Sequence, residues 1–328
     1  MKLRNVLFAV GCVGILAGGP AAHADVINFT MNFGALDDVD HGGTAGAMRR
    51  IQFDLNTQTY QYVQDPDNPL QQGDVFIDRG YGDASAYRTA LGGPAPQPPS
   101  GSILGVNYSM GLLWNELTGV IESAETTTSG AFVVQADYTA VGGAGVGCCF
   151  SIWVTDFGEV NTGFGQDYDG AVDFYQDHGQ LVMEMGLKSG SSILEFESAG
   201  GDFVEGTFVF EFEVESVLRD FWFTEDGVDF ADLIEKPKFL VTAFASAGTI
   251  QEPEPETSFE GITSPFNPVD NQSLFSETLS THDGSLRFAV TVPEPGTLAL
   301  MGLALALLGV FGYRPRRRDE KQDRRIAA

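Results

Sequence analysis

Between Thr207 and Glu215 the chain reads TFVFEFEVE, an alternation of apolar and charged residues with period two. That period fits a strand with one wet face and does not fit a helix, whose apolar positions recur every three or four residues. It predicts Phe208, Phe210, Phe212 and Val214 on a core face and Glu211, Glu213 and Glu215 on a solvated one. Further strand-like segments recur between Gly, Pro, Asp and Asn clusters: VINFTMNF, RIQFDL, TYQYV, DVFID, GAFVVQADYTA, CFSIWVTDF, GQLVMEMGL, SSILEFE, KFLVTAFA and LRFAVTV. Their spacing predicts an all-β fold, an antiparallel β-sandwich. The one helix-like piece is VDFADLIEK, before Pro237. No repeat of 20 to 50 residues is present.

Residues 25–292 are long enough to bury a substantial core, as one large body or two smaller subdomains, and the 25 Phe of the chain supply dense apolar material. GGPAPQPPSG, residues 92–101, reads as an exposed loop or hinge, and residues 251–273 as an acidic, Pro-spaced linker-like loop. Of the 18 basic residues nine fall in residues 25–292, and of the 45 acidic ones 41 do, so this segment carries a formal charge of −32 against −27 for the whole chain. Nucleic acid is excluded as a partner, because displacing counterions from phosphate takes a basic footprint. The same charge favours solubility and attracts divalent cations or cationic polymers.

Both ends carry processing signals. Lys2 and Arg4, the apolar block VLFAVGCVGILAGG, and Ala22 and Ala24 follow in the order of a secretory signal peptide, residues 1–24, which a signal peptidase removes. At the other end, Pro293, Glu294 and Pro295 form a Pro-bounded acidic turn that no helix can cross backwards. An apolar segment follows, residues 298–313. Its 16 residues span about 24 Å as a helix, short for a hydrocarbon core of roughly 30 Å. Arg314, Arg316, Arg317 and Arg318 snorkel to make up the length and hold residues 319–328 in the cytoplasm. The body is then outside.

PEPGT, the apolar run and the Arg cluster, residues 293–318, together resemble the PEP-CTERM sorting signal of exported bacterial proteins. The resemblance implies that an exosortase-type membrane protease recognises Pro293, Glu294 and Pro295 and removes the tail. The chain is then anchored transiently in the inner membrane and released to the cell surface or extracellular matrix. FTEDGVDFADLIEKPKFLVTAFASAGT is similar to a stretch of flocculation-associated PEP-CTERM proteins, which points towards a matrix role and assigns no residue.

Within the body the densest polar cluster is GQDYDGAVDFYQDHG, with Asp167, Asp169, Asp173 and Asp177. Carboxylates two residues apart around a Gly suit Ca²⁺, which gathers six to eight oxygens, although the EF-hand pattern is not met. The other reading is an Asp-rich surface turn. Asp226, Asp229 and Asp232 offer a weaker cation candidate, or a turn and helix start. Cys148 and Cys149 are adjacent in an exported chain, so a strained vicinal disulfide, free thiols and pairing between chains all remain open. His41, His178 and His282 sit in no catalytic frame.

The expectation is a non-catalytic surface or matrix protein engaged in aggregation, biofilm or exopolysaccharide association, or contact with other surface proteins. No cofactor is required, calcium being the one candidate. The alternative is a carbohydrate- or calcium-binding lectin-like module using exposed aromatics such as Trp114 or Trp222. A glycoside hydrolase-like enzyme would need two converging carboxylates.

Overall fold

In the computed structural model the described residues are 24–36, 44–63, 70–95, 104, 108–140, 149–156, 168–199, 203–234, 239–250, 254–256 and 274–291. They form β1 (Ala24–Val26), β2 (Phe29–Met31), β3 (Arg50–Val63), β4 (Val75–Arg88), β5 (Tyr108–Thr126), β6 (Phe132–Ala140) and β7 (Cys149–Asp156). After helix α1 (Tyr168–His178) come β8 (Gly179–Phe196), β9 (Phe203–Val217), β10 (Trp222–Thr224), the short helix Phe230–Ile234, β11 (Phe239–Ile250), β12 (Glu254–Glu256) and β13 (Leu274–Thr291). Ala24–Val290 is one compact unit.

The all-β, antiparallel expectation is met. Eleven strands pair in one sheet, nine of them in the order β1-β13-β11-β9-β8-β6-β5-β4-β3, with β7 beside β5 and β8 and β12 beside β13. β13 also pairs β3, from Leu274↔Val63 to Leu286↔Ile51, so the path returns on itself. β5 and β8 are long enough to hold two neighbours in succession, β7 along Tyr108–Trp114 and β6 along Leu117–Thr126 on β5. Closing a sheet satisfies its edge N–H and C=O groups, and a ring of about eight strands is narrow enough for side chains to fill.

β9 behaves as its alternation dictates. Phe208, Phe212 and Val214 are buried, Phe210 is half-buried against the same core, and Glu213 and Glu215 are exposed. RIQFDL and TYQYV prove to be one strand, β3, because the polar Asn56-Thr57-Gln58 between them is laddered to β4 and β13 on both sides.

β5 has no counterpart among the segments expected from the sequence, although it is 19 residues long. From Tyr108 to Trp114 every residue is buried, so there is no alternation to read. The reason is that both faces are covered. Tyr108, Met110, Leu112 and Trp114 join the main core, while Leu113 lies under α1 with Tyr81, Ala171 and Tyr175.

A small second sheet pairs β2 with β10 and brings Phe29, Trp222, Phe230 and Phe288 together, all 0 % exposed. The Phe29 and Phe288 rings meet edge to face at 4.7 Å, and the Trp222 indole N–H donates to the Val182 carbonyl at 2.9 Å. The helix expected in VDFADLIEK is present as Phe230–Ile234, and Asp229 caps it, accepting from Ala231 N at 2.8 Å. Of the loop at 92–101, residues 92–95 are described. They turn back on β4, where Ala95 N donates to the Tyr87 carbonyl at 2.9 Å.

Candidate functional site

Inside the closed sheet is a cavity of about 50 Å³. Its wall is mainly aromatic, with Phe53, Trp114, Phe150, Phe208, Phe210 and Phe212 around it. Phe150 lies 4.3 Å from Phe212 between ring centroids and stacks on Trp114 at 5.9 Å. Asp78, 6 % exposed, lies on this wall.

A β-bulge puts Asp78 and Trp114 side by side. Asp78 pairs with Leu117, but Gly80 pairs with Trp114, so β5 spends one residue more than β4 between these two rungs. Residues three apart on a regular strand face opposite ways. The extra residue changes the parity, so that Trp114 and Leu117 both face inward, and bulges re-aim side chains in this manner. Gly80 makes room for the indole: a Cβ there would overlap the Trp114 ring and the Asn56 carbonyl.

The carboxyl is held by one partner. The Trp114 side chain hydrogen-bonds to it, while Asp78 Oδ1 has none. Burial pushes its pKa up to about 8, against the smaller opposing effect of that bond, so the group is a neutral acid near pH 7. Burial also raises the Tyr138 phenol, which feels the Asp78 charge and bonds to Ser192.

Five residues along β4, on the outer face, is a half-buried carboxyl, Asp83. The Tyr175 hydroxyl of α1 donates to Asp83 Oδ1 at 2.9 Å and lies 3.0 Å from Ser109 Oγ. With the phenol proton directed at Asp83, Ser109 is the donor to Tyr175. Burial pushes Asp83 up to about 7; the Tyr175 bond lowers it and the neighbouring Asp54 raises it. Gly111 lies beneath: a Cβ there would overlap the Tyr175 ring. Ala171 and Tyr175, one turn apart, face the sheet in this small cluster.

α1 corrects the reading of the Asp-rich cluster as a surface turn. Asp169, Asp173 and Asp177 lie in the helix, because Ala171 and Tyr175 repeat with helical spacing and have a sheet face to bury against. Asp173 and Asp177 are exposed one turn apart, and Asp167 is outside the described residues. Among the described residues no group of three or more His, Cys, Asp or Glu is placed to hold a metal. Asp229 is the helix cap, Asp232 pairs with Arg219 at 3.1 Å, and Asp226 is exposed.

Trp114 and Trp222 are 5 % and 0 % exposed, which leaves neither ring free to stack on a sugar at the surface. The tryptophan that reaches the outer face is Trp153, half-buried beside α1, with its indole N–H donating to Ser151 Oγ at 2.8 Å. His178 is exposed at the end of α1 near Phe174. His41, Cys148 and the side chains of His282 and Cys149 are outside the described residues, as are Ala22, Pro293, Glu294, Pro295, Arg314, Arg316, Arg317 and Arg318; Ala24 begins β1. No described helix is long and apolar enough to cross a membrane, and residues 298–313 lie outside that description.

Sequence reasoning passed over Asp78, Asp83, Ser109 and Tyr175. DVFID showed an acidic residue in a strand without marking which face it takes, and β5 carried no signal. Comparison with protein families matches the PEP-CTERM protein-sorting motif to residues 291–318. The motif marks the chain as an exported protein, sorted by an exosortase-type membrane protease. Comparison with curated proteins and with solved structures gave no match.

Proposed function

We propose that the protein is a non-catalytic component of the cell surface or extracellular matrix, delivered by its sorting motif and contributing to aggregation, biofilm cohesion or exopolysaccharide association. The observation that carries this reading is the sorting motif at residues 291–318, joined to a body of one closed antiparallel sheet. A closed sheet suits an exposed life, since it offers few free edges to neighbouring chains. Residues 25–292, at −32, bring a strongly acidic surface to a matrix of cations and polymers.

Deleting the gene and restoring it, either intact or with Pro293, Glu294 and Pro295 all replaced by Ala, tests the proposal. Loss of cell aggregation on deletion, restored by the intact gene, is the expected result. The triple variant is expected to stay membrane-retained as a larger form and to restore little. Unchanged aggregation on deletion overturns the matrix role. Efficient release of the triple variant overturns the use of the motif.

A further inference from the structure

We propose that the cavity inside the closed sheet is a binding site for a small, mainly apolar molecule that presents a single neutral hydroxyl or carbonyl group to Asp78. This goes beyond the surface role argued above and does not depend on it.

A buried polar atom without a partner costs about 1–3 kcal/mol, so such atoms are rare in folded chains and call for an explanation. Asp78 Oδ1 is buried, has no partner, and belongs to a side chain on the wall of a cavity. The carboxyl is not a misplaced surface group. The bulge in β5 and the absence of a side chain at Gly80 fix its partner Trp114 beside it.

The walls decide the rest of the ligand. Around Asp78 the polar side chains lining the cavity are Thr57 and Ser285, and the others are aromatic or aliphatic apart from Gly284. Water bound in a cavity needs two to four polar partners, and few are on offer. At about 50 Å³ the space exceeds the roughly 10–15 Å³ that one water requires. Rings that meet Phe150 and Phe212 gain offset or edge contacts in addition to burial.

Charge narrows the polar group. Burial keeps the Asp78 proton on near neutral pH, so the acid can donate to an oxygen. A carboxylate ligand would bring an unpaired charge into a site that contains no basic side chain. An ammonium would have to ionise Asp78 and lose its own hydration. A neutral alcohol, phenol or ketone meets neither cost.

The test uses the full chain, purified in its exported form, and two probes of the same shape, p-cresol and p-xylene. Calorimetry and melting temperature are read for each. The expected result is that p-cresol binds about tenfold more tightly than p-xylene, the value of one buried hydrogen bond. Asp78→Asn keeps a neutral donor of the same shape and should retain the preference. Asp78→Leu, similar in size and apolar, should abolish it while leaving p-xylene bound. Equal affinity of the two probes for the unsubstituted protein overturns the role of Asp78. Absence of binding by both at millimolar concentration overturns the site. Should Asp78→Leu fail to fold, the probe pair and the Asn variant still decide.

Discussion

Asp78 and Asp83 lie five residues apart on β4, and so on opposite faces of the sheet wall, each beneath aromatic rings. Burial raises both, to about 8 and about 7. Their surroundings differ. Asp83 is closed over by α1 and satisfied by Tyr175, which also meets Ser109. Asp78 has Trp114 on one side and a cavity on the other, with Oδ1 unpaired. A satisfied polar group fixes how two elements dock. A half-satisfied one beside a void leaves a place for something else.

The sharpest way to separate the two faces is to remove a ring from each. Tyr175→Ala and Phe212→Ala should both cost about 3–5 kcal/mol, since each ring is buried to 0–1 % exposure. The pattern of loss should differ. Hydrogen exchange in Tyr175→Ala should rise first along α1, while Phe212→Ala should lower protection across β8, β9 and β11 together. Uniform loss in both variants would break the distinction.

Adding a methyl group is a smaller perturbation. Gly111→Ala pushes against Tyr175 and Gly80→Ala against Trp114, and each should cost about 1–3 kcal/mol by denaturant unfolding. Gly111→Ala should loosen α1 alone.

The pH dependence follows from the sign of the shifts. Both folded-state pKa values lie above the ordinary carboxyl value of 3.8, so between about pH 4 and pH 7 to 8 the folded protein holds protons that the unfolded chain has released. Stability conferred by these groups is therefore full below about pH 4 and falls as pH rises, by at most about 1.4 kcal/mol per pH unit for each group, and levels off above their folded pKa values. Melting curves should show Asp83→Asn removing the part of the decline that ends near pH 7, and Asp78→Asn the part that continues to about 8. Glu215, also raised by burial and by Glu184 and Glu213, adds a slope of the same sign. A melting temperature that rises from pH 5 to 8 would contradict both assignments.

The smallest effect expected is that of the Tyr175 hydroxyl. Tyr175→Phe keeps the ring and should cost about 1 kcal/mol. Because the hydroxyl's bond lowers the Asp83 pKa, its removal should move Asp83 upward in a carboxyl-carbon NMR titration and leave Asp78 where it was. Movement of both would show that the two faces are coupled through the wall.

How much of this was legible in advance varied by residue. β9 announced itself, since one of its faces is wet and its Phe and Glu residues alternate. Asp229 was legible as a helix start, because capping is a local event. Tyr175 was not, because a helix beginning among Asp and Gly residues looks like a turn until a sheet face is available to bury Ala171 and Tyr175. Asp78 was visible only as an acid in a strand, with nothing in the sequence to tell a core position from a wet one.

The sequence by itself determined what is carried by residue order and by periodicity within one segment: the antiparallel β class, the acidic surface and the sorting motif at residues 291–318. Only the tertiary structure decided that β13 returns to β3 and closes the sheet, that α1 covers β5, and that a bulge opposite Arg79 turns Trp114 inward to Asp78. The physical reason is that strand partners are chosen across long sequence separations, and a strand buried on both faces loses the alternation that would reveal it. A single extra residue in such a strand then reverses which side chains meet, and no local pattern records it.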